Sequence, residues 1–144
     1  MGGCYSNYKE IKILQNATLQ NCPFQTYNFT RAKVIKVYDG DTITIGAIHC
    51  GKLTKFSVRL YGIDCPEIKG GTTETKMNAI ESKQYVENLI LNKIIRIEVL
   101  NGKRYNNKMI SEKYGRLLAI IYDTNGNDIV TQMINNNLGK PYFG

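Results

Sequence analysis

From residue 31 onward the chain is built on short runs in which apolar and polar positions alternate. "AKVIKVYDGDTITI" does so on both sides of Asp39-Gly40, which predicts two strand segments joined by a tight turn. "FSVRLYG" sets Phe56, Val58 and Leu60 against Ser57, Arg59 and Tyr61 as a third strand, with a hairpin around His49 to Lys52 containing Gly51. Glu74 to about Asn92 holds no Gly or Pro. Ala79, Val86, Leu89, Ile90 and Lys93 fall there at helical spacing, so a helix packed on the sheet is expected. Ile95, Ile97 and Val99 alternate with Arg96 and Glu98 as a fourth strand, and "RLLAIIY" from Arg116 is an apolar run of strand length ended by the turn "DTNGN". Asp128 is placed to cap a second helix through Ile129, Val130, Met133, Ile134 and Leu138, with Gly139 closing it in a left-handed conformation. Three strands, a helix, two strands and a helix is the order of an α+β fold built on a five-stranded OB-type barrel with two packed helices.

Residues 1–30 differ from all of this. They are polar, Asn-rich and weakly periodic, and read as a tail ahead of one domain spanning 31–144. A chain of 144 residues with 42% apolar content suits one core. The 19 Lys and Arg against 12 Asp and Glu give a formal charge of +7, which favours a polyanionic partner such as nucleic acid or an acidic membrane face. His49 is the one histidine, so mechanisms that need two imidazoles, or a His-rich zinc cage, lack their residues. Cys4, Cys22, Cys50 and Cys65 form no CxxC pair and follow no apolar leader, which predicts reduced thiols in a cytoplasmic protein that is not secreted. No apolar run approaches the ~18 residues of a membrane-spanning helix.

The charged positions cluster in three short stretches: "DGDT" at Asp39 to Thr42, "VRLYGIDCPE" at Val58 to Glu67, and "EKYGR" at Glu112 to Arg116. Were Asp41 and Asp64 to meet at ~5 Å, their repulsion at an effective dielectric near 20 would be roughly 3 kcal/mol, so something positive is expected between them. Carboxylates without imidazole or thiolate favour a hard ion such as Ca²⁺ or Mg²⁺. Pro66 biases Cys65 towards an extended conformation, which would turn its carbonyl outward as a further ligand. Arg59 and Arg116 offer planar forks matched to two phosphate oxygens, and Glu67 remains to orient or deprotonate a water. Each residue also has a plainer reading. Asp-Gly is more often a turn than a ligand, an arginine in a strand is usually on a solvated face, and nothing identifies a base that would make Cys65 a nucleophile.

The series "VIKVYDGDTITI", "VRLYGIDCPE", "EKYGRLLAIIY" and "NNLGKPYFG", in this order and at these separations, resembles the staphylococcal (thermonuclease-like) nuclease family over residues 31 to 143. The resemblance implies an OB-type barrel and a Ca²⁺-dependent hydrolysis of DNA and RNA that leaves 3′-phosphates, without excluding Mg²⁺ or Mn²⁺. It also implies roles: Asp41, Asp64 and the Cys65 carbonyl as metal ligands, Arg59 and Arg116 as phosphate-binding catalytic groups, Glu67 as the glutamate drawn as general base, and Lys113, Tyr114 and Tyr142 at the nucleotide. A Cys stands where the best-known member has Thr, and the last helix of longer members has no counterpart before Gly144. The rival expectation is a non-catalytic module that holds single strands on the barrel. At the other end, "MGGCYS" fits an N-myristoylation pattern at Gly2, with Cys4 open to a second acyl chain and Lys9 and Lys12 suited to an anionic leaflet. A monomer tethered to the cytoplasmic face of a membrane is the resulting expectation.

Overall fold

A computed structural model describes residues 3–112 and 114–143, with side chains from residue 6. Strands β1 (Arg31–Asp39), β2 (Thr42–His49) and β3 (Lys52–Leu60) form a meander whose inward positions, among them Val34, Ile43, Ile45 and Val58, are fully buried. The turn between β2 and β3 places Cys50 at φ 51 and Gly51 at φ 75, the paired left-handed geometry of a two-residue hairpin that matches strand twist. Two further strands, Ile94–Val99 and Leu117–Tyr122, close the sheet into a barrel. Counting the short strands between them, these are β5 and β8, since β4 covers Gly62–Asp64, β6 Arg104–Tyr105 and β7 Lys108–Met109. The barrel order is β1-β2-β3-β8-β5, with β3 and β8 running parallel and every other pairing antiparallel. The expected five-stranded barrel is therefore the fold.

Helix α2 (Thr73–Ile90) starts at the Thr72 cap, whose hydroxyl accepts the Thr75 amide at 3.3 Å, and buries Ala79, Ser82, Val86 and Ile90. Lys93 lies beyond it, on the turn into β5 rather than on its buried face. Helix α3 (Ile129–Asn135) is capped by Asp128, which accepts the Val130 amide at 2.9 Å.

One expectation fails at its end. The left-handed residue is Asn137, at φ 57, and Gly139 is needed for space instead. A Cβ at Gly139 would fall 2.6 Å from Ile63 Cδ1 and 3.0 Å from the Asp64 carbonyl oxygen. This close approach lets β9 (Lys140–Tyr142) pair with β4, so the end of the chain buttresses the strand that carries Asp64.

The segment before residue 31 is also more ordered than its composition predicts. Gly3–Gln15 is a helix, α1, but its described side chains are exposed, Tyr8, Ile11, Ile13 and Leu14 included. Gly2 and Lys113 lie outside the described residues, as does the side chain of Cys4.

Candidate active site

The chemistry-bearing residues gather where β1 ends, β2 begins and β3 ends, and the parallel register of Val58 with Leu117 sets the start of β8 beside that point. Asp41 occupies the β1–β2 corner and is only 7% exposed. Its carboxylate is held from three sides. Oδ1 accepts the Thr42 hydroxyl at 3.0 Å, and Oδ2 accepts the Cys65 amide at 2.8 Å and pairs with Arg59 Nη1 at 3.1 Å. Its backbone carbonyl accepts the Leu60 amide at 2.8 Å, which fixes the corner to the end of β3. The turn is tight for a steric reason, because a Cβ at Gly40 would meet Ser82 Cβ at 2.8 Å and Cys65 Sγ at 3.0 Å.

Arg59 is the hinge of the arrangement. Its Nη2 lies 3.2 Å from Asp64 Oδ1, so one guanidinium bridges both aspartates that sequence reasoning brought together. The positive group expected between them is thus, in this structure, a side chain of the protein. Asp64 is much more open, its side chain 62% exposed, and among the described residues its Oδ2 has no hydrogen-bond partner.

Asp39 adds a further carboxyl to the same corner. Burial raises the Asp39 pKa above its ordinary value, and the nearby charges of Asp41 and Glu67 push it further the same way. Burial, with Asp41 next, also pushes the Cys65 thiol up to about 12, which leaves it protonated and unsuited to nucleophilic attack at neutral pH.

Arg116 stands across a cleft of about 480 Å³ that it lines together with Arg59, Tyr61, Tyr114 and Tyr142. It also lines a second cleft with Asp39, Thr42 and Glu67, and so connects the two. The two arginines share a cleft rather than facing apart. Arg116 donates to Glu112 Oε1 from Nε at 3.1 Å and from Nη2 at 2.8 Å. Glu112 Oε2 accepts the backbone amides of Tyr114 and Arg116. Burial raises the Glu112 pKa, but hydrogen bonds from the Arg116 side chain and from these two amides outweigh it and hold the carboxyl below its ordinary range. Asn101 clamps the other side, donating to the Arg116 carbonyl at 3.1 Å and accepting the Leu118 amide at 2.6 Å. Tyr114 is 80% exposed and lies against the Arg116 guanidinium at 5.6 Å, and Tyr142 is half exposed at the cleft edge on β9.

Glu112 and Asn101 were not singled out as site residues. The acid-to-arginine spacing of four in "EKYGR" was the available signal for Glu112. Asn101 gave none, because its two bonds cross 15 and 17 residues.

Among the described residues, no three His, Cys, Asp or Glu side chains form a ready metal cluster. The donors at the corner nevertheless suit a hard divalent ion. They are carboxylate oxygens, and one of them has no partner among the described residues. A zinc-type site is a poor match, since His49 lies at the opposite end of β2 and the Cys65 thiol stays protonated.

A small barrel with acids and two arginines converging at one rim defines a class of phosphate-handling proteins. Comparison with known sequences narrows the class: the profile of the family described as "Staphylococcal nuclease homologue" matches residues 57–143, more than half of the chain, and the chain belongs to that family. It is 29% identical over 126 residues to a protein named thermonuclease from Staphylococcus hyicus, covering 88% of this chain and 62% of that protein. It is 33% identical over 121 residues to an uncharacterized protein of Methanocaldococcus jannaschii, covering 73% of this chain and 54% of the relative. The chain therefore spans less than two thirds of the length of either relative.

Proposed function

We propose that this protein is a metal-dependent phosphodiesterase, an endonuclease that hydrolyses DNA and RNA to 3′-phosphate products with Ca²⁺ as its ion. The observation that carries the reading is Arg59, bridged to Asp41 and Asp64 and sharing a cleft with Arg116. Family membership and the name of the staphylococcal relative support the same reaction class.

Asp41, Asp64 and the Cys65 carbonyl would hold the ion. Bound there, Ca²⁺ supplies positive charge to a phosphate oxygen and offsets the crowded carboxylates. Arg59 and Arg116 grip two sides of the phosphate, and their forks strengthen as the phosphorus gains negative charge, which is where such contacts lower a barrier most. Glu67 orients a water or takes its proton. Tyr114 and Tyr142 would border the nucleotide, and the motif implies the same role for Lys113. A site that grips phosphate reads no base edges, so cleavage is not sequence-specific.

The test is direct: plasmid and RNA are incubated with the purified protein in Ca²⁺ or in chelator. Fragmentation that requires Ca²⁺ is expected. Retention of the nucleic acid without fragmentation in either condition would replace the enzyme with a binding module.

We further propose that the N-terminal segment meets a membrane surface on the cytoplasmic side. The run "MGGCYS" carries the acylation pattern, and α1 exposes Ile11, Ile13 and Leu14 beside Lys9 and Lys12. In a eukaryotic cell, Gly2→Ala should move the protein out of the membrane fraction, and unchanged partitioning would dismiss the tether.

A further inference from the structure

We infer that the patch where the start of β1 meets β5, away from the candidate active site, is a second contact for nucleic acid that grips the backbone of single strands. The inference rests on the phosphodiesterase reading for its biological sense, but its observations are separate. β1 runs from Arg31 to Asp39, and at ~3.3 Å per residue its two ends are ~26 Å apart. The active-site acids lie at the Asp39 end.

At the other end, Arg31 and Arg96 are direct partners across the antiparallel β1–β5 pair, and both project from the outer face of the barrel. Like charges placed opposite one another in a sheet repel, and neither arginine has a carboxylate within ion-pair distance among the described residues. The repulsion does nothing for the fold, whereas an arriving polyanion would relieve it and gain two cations at once.

The surroundings fit a single strand better than a duplex. Arg96 lies 4.0 Å from the ring centre of Tyr122, its neighbour on β8. A groove of about 240 Å³ beside them is lined by Tyr27, Phe29, Lys103 and Glu98. Half-buried rings next to cations that have no carboxylate partner among the described residues offer unstacked bases a surface while the arginines meet phosphates. Glu98 and Asp128, which border Tyr122, are the acids here, and Arg31, Lys33, Arg96 and Lys103 outnumber them.

Geometry makes the contact dependent on length. At ~3.4 Å per nucleotide a stacked strand needs roughly 8 nucleotides to span both ends of β1, and an unstacked one needs fewer. Short strands would occupy the active cleft alone, and longer ones would reach both ends.

The experiment measures binding of fluorescent oligothymidylates of about 4 and about 20 nucleotides in chelator, where no cleavage occurs. It compares the unaltered protein with the double variant Arg31→Gln, Arg96→Gln. The variant should weaken the long strand roughly tenfold and flatten its log-log salt dependence by ~1.4, at ~0.7 per cation, leaving the short strand unchanged. Arg31→Gln alone, at an exposed strand start, should give about half that change in slope. Relief of the like-charge pair and loss of the Arg96–Tyr122 contact oppose each other, so the melting temperature should change little. In Ca²⁺, KM for long substrates should rise at constant kcat.

An unchanged long-strand affinity and salt slope would overturn the inference, as would equal weakening of both lengths, which would tie the arginines to the active cleft. Should the unaltered protein bind long strands through these arginines and cut nothing, the second contact stands and the phosphodiesterase reading falls. Should it cut while the variant binds identically, the reverse holds.

Discussion

The two arginines of the candidate site are held in opposite ways. At the Arg59 corner one guanidinium touches two carboxylates, those of Asp41 and Asp64, while the charges of Asp41 and Glu67 act on nearby Asp39 and Lys83 partly offsets them. On the Arg116 loop one glutamate meets one arginine, and both oxygens of that glutamate are also claimed by the loop, through two amides and the guanidinium. A surplus of acid creates a demand for one more cation, while a balanced pair prepares a fork without asking for anything further. The first arrangement suits ion binding and the second suits aiming a donor at a substrate.

Replacing Arg59 should break the contrast most severely. Arg59→Ala strips Asp41, which is 7% exposed, of its counter-charge. Turnover should fall by about 10² to 10³, the scale of losing one donor to a developing anion. Because the Arg59 side chain is itself only 13% exposed, stability should fall too, by about 2 kcal/mol in chelator, and Ca²⁺ should restore part of it. Denaturant midpoints with and without Ca²⁺ check this, and equal stability of the two proteins in chelator would show that Asp41 needs no partner.

Neutralising the balanced pair should cost less. Glu112→Gln keeps the shape but weakens the hold on Arg116, so KM should rise several-fold with a smaller change in kcat. The pH dependence follows from the lowered Glu112 pKa. A carboxyl with a folded pKa below its unfolded one stabilises above the unfolded value and loses that stability as pH falls through the folded value. The unaltered protein should therefore lose stability more steeply than Glu112→Gln on acidification below the ordinary glutamate range. Parallel acid titrations of melting temperature would refute the assignment.

Asp39→Asn gives the smallest effect and the finest test. A raised carboxyl pKa in the fold means stability that is present below the unfolded pKa and lost as pH rises through the folded one. At neutral pH the substitution should raise the melting temperature slightly, and the gain should vanish in acid. It should also weaken Ca²⁺ binding, visible by calorimetry, because it trims the surplus charge. A lower melting temperature at neutral pH would mean that Asp39 is a structural partner rather than part of the excess.

The barrel was legible because inward and outward positions alternate along much of β1, β2, β3 and β5, as in Val34, Ile43, Ile45 and Val58, and because β8 is an apolar run of strand length. β4, β6, β7 and β9 were not, since a strand of two or three residues carries no period. The left-handed end of α3 was assigned to Gly139 because glycine usually supplies it, yet Asn137 tolerates that geometry and Gly139 serves the close pass against Ile63. Helix α1 escaped notice because no core selects an apolar stripe on it. At the site, Asp41, Arg59 and Asp64 could be nominated from the sequence, but that the guanidinium sits between the aspartates depends on a corner joining β1, β3 and β4. Glu112 was quoted within its motif and passed over, because a carboxylate that serves a neighbouring arginine looks the same in sequence as a solvated one.

The parallel seam between β3 and β8 has a kinetic consequence. Arg59 lies opposite Leu118 in that register, so the contact joins segments far apart along the chain. Closing so long a loop is slow relative to forming the β1–β2–β3 meander, which makes the seam a late event in folding. Arg116, at the mouth of β8, reaches the cleft only once the seam has zipped. A chain still emerging from the ribosome, or halted with its meander formed, would carry both aspartates and Arg59 and yet have half a grip on phosphate.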